Sequence, residues 1–499
     1  MGVSIDGGRG TAAADPFSDL SCYDAIGLAG LIQTGQISSG ELVEYTIRTI
    51  DAINPELNAV ICKTYDRARR CASAPLGNGP LAGVPFLVKD NAVIAGVELT
   101  RGSRALRGNI PEQTAPFFAA VESAGLILMG ATNMPEMGLI DGTENALYGP
   151  TRNPWNLDYS PGGSSGGSAA CVAAGLVPLA HGTDGGGSLR LPASHCGLFA
   201  AKASRGRLRP GSFGAPPWPR LVDGALSRTV RDSAMYLSLL EDPNTRLPKL
   251  GRVSGKLPRR LKIAVMYEGM SGQAPHPEVR EAIADTAQVC RQLGHTVEQA
   301  KPPLDQVELG EAAQQVAAIE VAKTVDAIAG AKGITKLEEG FESRALGLRE
   351  LAMRRGSFDE QIARALPVLK MGTAMLDRFF QKWDVLLTPV SRTPVFKIGM
   401  RDQSKYRFEE LDEILHDYVA YTSLHNICGT PAMSVPLHWD ASGLPLGSQF
   451  AARIGAEELL LALAYELEAA RPWASRRPPT FAFRPARAAP QDSAPSRAT

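Results

Sequence analysis

The stretch from Pro161 to Pro192 constrains the fold of this chain more than any other. It opens with Pro161-Gly-Gly-Ser-Ser-Gly-Gly-Ser168, continues through Ala169-Ala-Cys-Val-Ala-Ala-Gly175, and closes with Gly182-Thr-Asp-Gly-Gly-Gly-Ser188-Leu-Arg190-Leu-Pro192. Glycines in such number permit backbone turns that bulkier residues resist. Between the two glycine runs, the residue order predicts a small-residue helix over Ser168 to Gly175 and a strand over Leu176 to His181. Ser188 then falls in a loop just beyond a strand end.

The flanking pattern extends this to an α/β fold. Leu81 to Lys89 is an apolar run bounded by Gly83 and Pro85, and Gly125-Leu-Ile-Leu-Met-Gly130 follows a helical Pro116 to Ala124. Such runs suit buried strands that alternate with helices. Ser38-x-x-Glu41 is a capping box ahead of Val43, Ile47 and Ile50, which share one helix face, and the helix is expected to end near Asn54-Pro55. Residues 257 to 300 read as strand, helix and strand, and 305 to 380 turn helical and charged. Strands return at Trp383 to Pro389, Pro431 to Pro436 and Leu444 to Phe450. With no long linker and no repeat, residues 17–483 read as one domain between mobile tails at 1–16 and 484–499.

Composition narrows the class of partner. The 499 residues are 44% hydrophobic, enough for a substantial core, and 52 basic residues cancel 52 acidic ones. A chain without a global field has no electrostatic means of gathering nucleic acid or an anionic membrane, so a small molecule is the expected partner. Seven cysteines stand scattered with no C-x-x-C pair, which argues against zinc and disulfides and for a reducing cytoplasm. The amino terminus lacks a signal-peptide layout, and no apolar run approaches the roughly 20 residues that span a bilayer.

Lys89, Ser164 and Ser188 together offer a proton acceptor, a relay hydroxyl and a nucleophile without a histidine. Serine is a weak nucleophile until a base takes its proton, and lysine is a base only when neutral, so Lys89 must be buried or set beside positive charge. Phe86-Leu-Val suits burial. Asp90 would oppose it, except that adjacent strand residues face opposite sides. Gly185, Gly186 and Gly187 can aim successive N–H groups at one point. Ser164 and Ser165 each also satisfy G-x-S-x-G, but the elbow requires a strand immediately before it, and Asn153 to Pro161 reads as loop. His181 and His195 are expected in structural roles, and Cys171 and Cys196 as small buried hydrophobes.

These stretches, with Glu41-Leu-Val-Glu, Asn54-Pro-Glu-Leu-Asn-Ala59, Thr132-Asn-Met-Pro-Glu-Met137, Thr151-Arg-Asn-Pro-Trp-Asn156, Ser227-Arg-Thr-Val-Arg-Asp232 and Gly443-Leu-Pro-Leu-Gly447, make the chain resemble the amidase signature family from about residue 20 to 475. The resemblance implies an α/β/α sandwich with a large mixed sheet covered by helices, a signature core at about 75–232 and a helical substrate wall at about 305–430. It assigns Ser188 as nucleophile, Ser164 as relay with a cis peptide bond, and Lys89 as base. Gly185, Gly186 and Gly187, with the Ser188 N–H, become the oxyanion hole, although relatives more often carry Thr or Ile at the position of Gly185. Ser165, Asp184, Arg190, Met137 and Gly138 are implied to support the site or touch substrate. The reaction implied is hydrolysis of a linear or cyclic amide, with ester or carbamate cleavage also open, and with no metal or organic cofactor. Ala180 to Asp184 and Pro192 to Cys196 lean toward the subgroup that includes 6-aminohexanoate cyclic-dimer hydrolase. The alternative functions are an ammonia-supplying subunit of a tRNA-dependent amidotransferase and an inactive binding scaffold, which the intact set of Lys89, Ser164 and Ser188 disfavours. A homo-oligomer remains open.

Overall fold

A computed structural model of the chain describes residues 20–211, 216–255, 257, 259–269 and 272–482. The expected tails at 1–16 and 484–499 lie outside the described residues. Eleven strands form one mixed sheet among these residues: β1 (Val60–Lys63), β2 (Pro85–Lys89), β3 (Ile127–Thr132), β4 (Leu179–Asp184), β5 (Phe199–Lys202), β6 (Val222–Ser227), β7 (Lys262–Val265), β8 (Thr296–Gln299), β9 (Val385–Pro389), β10 (Ala432–Trp439) and β11 (Pro445–Ala451). Their spatial order is β1-β3-β2-β4-β6-β5-β10-β11-β9-β7-β8, so both halves of the sequence contribute to one hydrogen-bonded surface. The α/β class expected from the alternating runs is the architecture observed.

β2, β3, β4 and β9 are buried along their whole length, as strands covered on both faces must be. The two-residue period of β2 sorts its side chains. Phe86 and Val88 pack with Phe117, Phe118 and Tyr236 on one face. Leu87 packs on the other with Ala169, Ala170, Cys171 and Val172 of the helix Gly166–Ala173. Burying each of the large side chains stabilises the fold by roughly 1.5–3 kcal/mol. Lys89 continues the Leu87 face, and this places its ammonium group under the glycine-rich entry to that helix.

β2 and β4 run parallel, with Leu87 opposite Ala180, so their C-terminal ends emerge side by side. That edge carries Lys89, Thr183 and the loop after Asp184. The strand starts at Leu179, not at Leu176 as the apolar run suggested, because Pro178 has no N–H to give a ladder. Gly175, at φ +75°, ends the preceding helix, and Leu176 donates its N–H back to the Cys171 carbonyl. The shift carries β4 through His181 and Thr183 to Asp184.

The capping box forms as expected: Ser38 accepts from the Glu41 N–H, and Glu41 accepts from the Ser38 N–H. Its helix does not stop near Asn54-Pro55 but runs from Ser39 to Leu57, with Pro55 in the last turn. One missing donor at an exposed turn is tolerated there. Asn54 compensates by accepting from the N–H groups of Ala59 and Val60 and donating to the Val60 carbonyl. The charged region after residue 305 forms the long helices Gln306–Lys332 and Phe358–Lys382. Among the described residues no helix is long and apolar enough to cross a membrane.

Candidate active site

Lys89 is completely enclosed at the end of β2. Its Nζ donates to Ser164 Oγ at 2.6 Å and to Thr183 Oγ1 at 3.0 Å. Burial disfavours the ammonium form and brings its pKa from 10.5 down to about 7, although the negative charges of Asp184 and Asp223 pull the other way. Asp90 is turned aside, its carboxylate accepting from the N–H groups of Thr100 and Gly102 and from the Thr100 hydroxyl. The opposed faces of the extended backbone therefore separate this acid from the lysine.

Ser164 follows a cis peptide bond with Gly163, the bond expected at that position. The backbone holding it is packed too closely for side chains: a Cβ on Gly163 would lie 2.7 Å from the Gly142 carbonyl oxygen, and one on Gly138 would lie 3.0 Å from Ser164 Oγ. Gly138, at φ +71°, thus flanks the Ser164 hydroxyl directly. Met137 packs instead into the apolar cluster around the helix Gln306–Lys332. Its N–H is held by the Arg101 carbonyl at 2.7 Å. Ser165 bridges the two glycine stretches: its N–H donates to the Ser188 carbonyl at 3.3 Å, and its hydroxyl donates to the Thr183 carbonyl at 3.2 Å.

Ser188 is half-buried in the turn after β4, as are Gly185 and Gly186, while Gly187 is buried. Asp184 organises this turn. Its carboxylate accepts from the N–H groups of Gly187 at 2.8 Å and Leu189 at 3.2 Å, and is gripped by Arg190 Nε at 2.9 Å and Nη2 at 2.8 Å. Burial would raise the carboxyl, but the Arg190 guanidinium outweighs it and holds Asp184 well below the usual range. Asp184 and Arg190 thus form a buried ion pair that ties the turn to its following helix. The three-glycine donor set narrows, because Gly187 gives its N–H to Asp184. Among the described residues the N–H groups of Gly185, Gly186 and Ser188 have no protein acceptor.

Both histidines near Ser188 in sequence are structural. His181 Nδ1 accepts from the Lys89 N–H at 3.3 Å, which leaves Nε2 to donate to Asp223 at 3.0 Å, while its ring stands perpendicular to that of Phe118. His195 donates from Nδ1 to the Ser160 carbonyl at 3.2 Å and accepts at Nε2 from Tyr418 at 2.6 Å. Burial depresses its pKa to about 4. Cys171 and Cys196 are buried thiols, and all seven cysteines are unpaired.

Sequence patterns do not single out four further groups at this site. Thr183 receives hydrogen bonds from both Lys89 and Asn91 Nδ2, the latter at 3.0 Å. Thr422 Oγ1 donates to the Gly186 carbonyl at 2.6 Å, and Asn426 and Gln449 accept from Arg190 at 2.6 and 2.5 Å. Thr183 had a signal, its place two residues before the glycine run. The other three lie more than 230 residues along the chain from their partners, beyond any local motif.

A buried lysine hydrogen-bonded to one serine thus lies beside a glycine turn that carries a second serine. The chain belongs to the Amidase family, whose model matches residues 41–461, and it is accordingly a hydrolase acting on amide bonds. It is 37% identical over 469 residues to a protein of Mycobacterium leprae (strain TN) named as an amidase, AmiC, covering 92% of this chain and 97% of that one. It is 33% identical over 493 residues to the 6-aminohexanoate-cyclic-dimer hydrolase of Paenarthrobacter ureafaciens, covering 91% and 96%. A solved structure of 6-aminohexanoate cyclic dimer hydrolase complexed with substrate superposes with a TM-score of 0.84 at 32% identity, over 92% of this chain and 99% of that one.

Proposed function

We propose that the chain cleaves a carboxylic amide through an acyl-enzyme on Ser188, with Ser164 as proton relay and neutral Lys89 as general base and then general acid. The observation that carries this reading is the 2.6 Å hydrogen bond between Lys89 Nζ and Ser164 Oγ, made where burial leaves the lysine half-neutral near pH 7. Lys89 takes the Ser164 proton as Ser164 takes that of Ser188, and Ser188 Oγ bonds to the amide carbonyl carbon. The electron pair of the carbonyl moves to oxygen, where the N–H groups of Gly185, Gly186 and Ser188 receive it. Collapse of this adduct breaks the C–N bond while the relay delivers the proton to the leaving amine. Water then repeats the sequence on the acyl-enzyme and releases the acid. Donors aimed at an oxyanion are typically worth ~2.7–4 kcal/mol each in the transition state.

The substrate proposed is a compact, uncharged amide, linear or cyclic. The balanced net charge and the likeness to 6-aminohexanoate-cyclic-dimer hydrolase support it. A panel of cyclic, aliphatic, aromatic and peptide amides with glutamine included tests the assignment. Turnover of cyclic or short aliphatic amides is expected. Turnover of glutamine alone would replace it with an ammonia-supplying role.

A further inference from the structure

We infer that Asn426 is a positioning residue for the loop that receives the oxyanion, an inference that rests on the catalytic reading of Ser188. Asn426 is buried on the helix Ser423–Ile427, 242 residues from Asp184 in sequence. Its Nδ2 donates to the Asp184 carbonyl at 2.8 Å, to the Asp184 carboxylate at 2.9 Å and to the Arg220 carbonyl at 3.1 Å. Its Oδ1 accepts from Arg190 Nη2 at 2.6 Å. One side chain therefore grips both members of the ion pair and the backbone of the residue that enters Gly185-Gly186-Gly187-Ser188.

The same segment holds the loop from a second side. The Thr422 hydroxyl donates to the Gly186 carbonyl at 2.6 Å, and the Thr422 carbonyl accepts from Arg190 Nη1 at 3.0 Å. A carbonyl fixed in this way sets the peptide plane it belongs to, and the N–H at the other end of that plane is the one on Gly187, which Asp184 also holds. Gln449 closes the cage, accepting from Arg190 Nη1 at 2.5 Å and donating to Thr388 Oγ1 at 2.9 Å. Glycines supply no stiffness of their own, so Asn426, by holding the Asp184 carbonyl, sets the direction of the Gly185 N–H in the same peptide plane, and the turn that carries the Gly186 and Ser188 N–H groups is anchored at Asp184 and Gly186 by this external frame. Loose donors are expected to cost rate without costing ground-state binding, because the charge they serve develops only in the transition state.

The test compares Asn426→Leu, which keeps size and removes every hydrogen bond, with Thr422→Val, which keeps shape and removes the shorter of the two hydroxyl bonds to the Gly186 carbonyl, leaving that from Ser423 at 3.4 Å. Hydrolysis of p-nitrophenyl butyrate is measured on the pH plateau, with inhibition by phenylboronic acid as a probe of the tetrahedral adduct and Ser188→Ala as control. Asn426→Leu is expected to lower kcat by about 10²-fold with KM little changed, the size of losing one oxyanion donor. Thr422→Val is expected to lower it roughly tenfold, and boronate affinity should fall in proportion to kcat/KM. If Asn426→Leu does not fold, Asn426→Ser, which removes the same bonds with a smaller side chain, is measured in its place and decides. A kcat within about threefold of wild type, or an unchanged boronate affinity, overturns the inference while an inactive Ser188→Ala leaves the catalytic reading standing. Activity surviving in Ser188→Ala overturns both.

Discussion

Replacing Lys89 with Met separates the catalytic requirement from its energetic cost. The side chain is fully enclosed, and burial brings its pKa from 10.5 to about 7. This corresponds to roughly 5 kcal/mol favouring the neutral form. The sign follows from linkage. Between pH 7 and about 10.5 the unfolded chain holds a proton on this lysine that the folded chain has released, so stability from this group rises with pH at roughly 1.4 kcal/mol per unit. Below pH 7 both states are protonated and the full cost is present. Lys89→Met removes the titration and also the hydrogen bonds to Ser164 and Thr183. The variant is expected to be inactive, and its stability relative to wild type is expected to be most favourable at pH 6 and to decline steadily toward pH 10. Urea denaturation at half-unit pH steps reads this difference, and wild-type kcat/KM should rise through a midpoint near 7 to a plateau. A stability difference independent of pH, or a kinetic midpoint above about 9, would refute the claim that burial makes Lys89 the base.

Three further substitutions probe the frame. Gly187→Ala should abolish measurable turnover, since φ is +133° and a Cβ would lie 2.4 Å from Thr422 Oγ1; Gly185→Ala should keep activity within about tenfold, because its Cβ meets only the flexible tip of Leu221 at 2.7 Å, and steady-state kinetics distinguish the two. Gly138→Ala, at φ +71° with a Cβ 3.0 Å from Ser164 Oγ, should reduce kcat by at least about tenfold while esters and amides fall together, since the relay serves both. Burial, aided by the nearby charge of Glu342, raises the Glu136 carboxyl to about 7, so the folded state holds its proton more tightly than the unfolded state. Stability should therefore fall as pH rises from about 4.5 to 7, and Glu136→Gln should flatten that part of the thermal-melting profile.

What could be read from the sequence follows the range of the interactions. Lys89, Ser164 and Ser188 stand in local stretches whose composition reveals their backbone, and the structure brings Lys89 and Ser164 into contact. Strands β2, β3, β9, β10 and β11 are legible as short apolar runs for the same reason. Short-range chemistry also explains the misplacements: Pro178 delays β4, and Asn54 lets the helix containing Pro55 run on to Leu57. β5 and β6 carry mostly alanine, glycine and polar residues where a strand signal needs branched or aromatic ones, so no apolar run marks them. The clamp by Thr422, Asn426 and Gln449 was out of reach because its bonds to Arg190 span 232 to 259 residues. No local pattern records a partner that only the closed sheet supplies.

Covalent capture tests the central claim most directly. The protein is treated with a fluorophosphonate at pH 8, where Lys89 should be mostly neutral, and the adduct is located by peptide mass mapping in wild type and in Lys89→Met. The account predicts one adduct, on Ser188, formed far more slowly in the variant. An adduct on Ser165 or elsewhere with Ser188 free, or equal labelling rates in the two proteins, would contradict it.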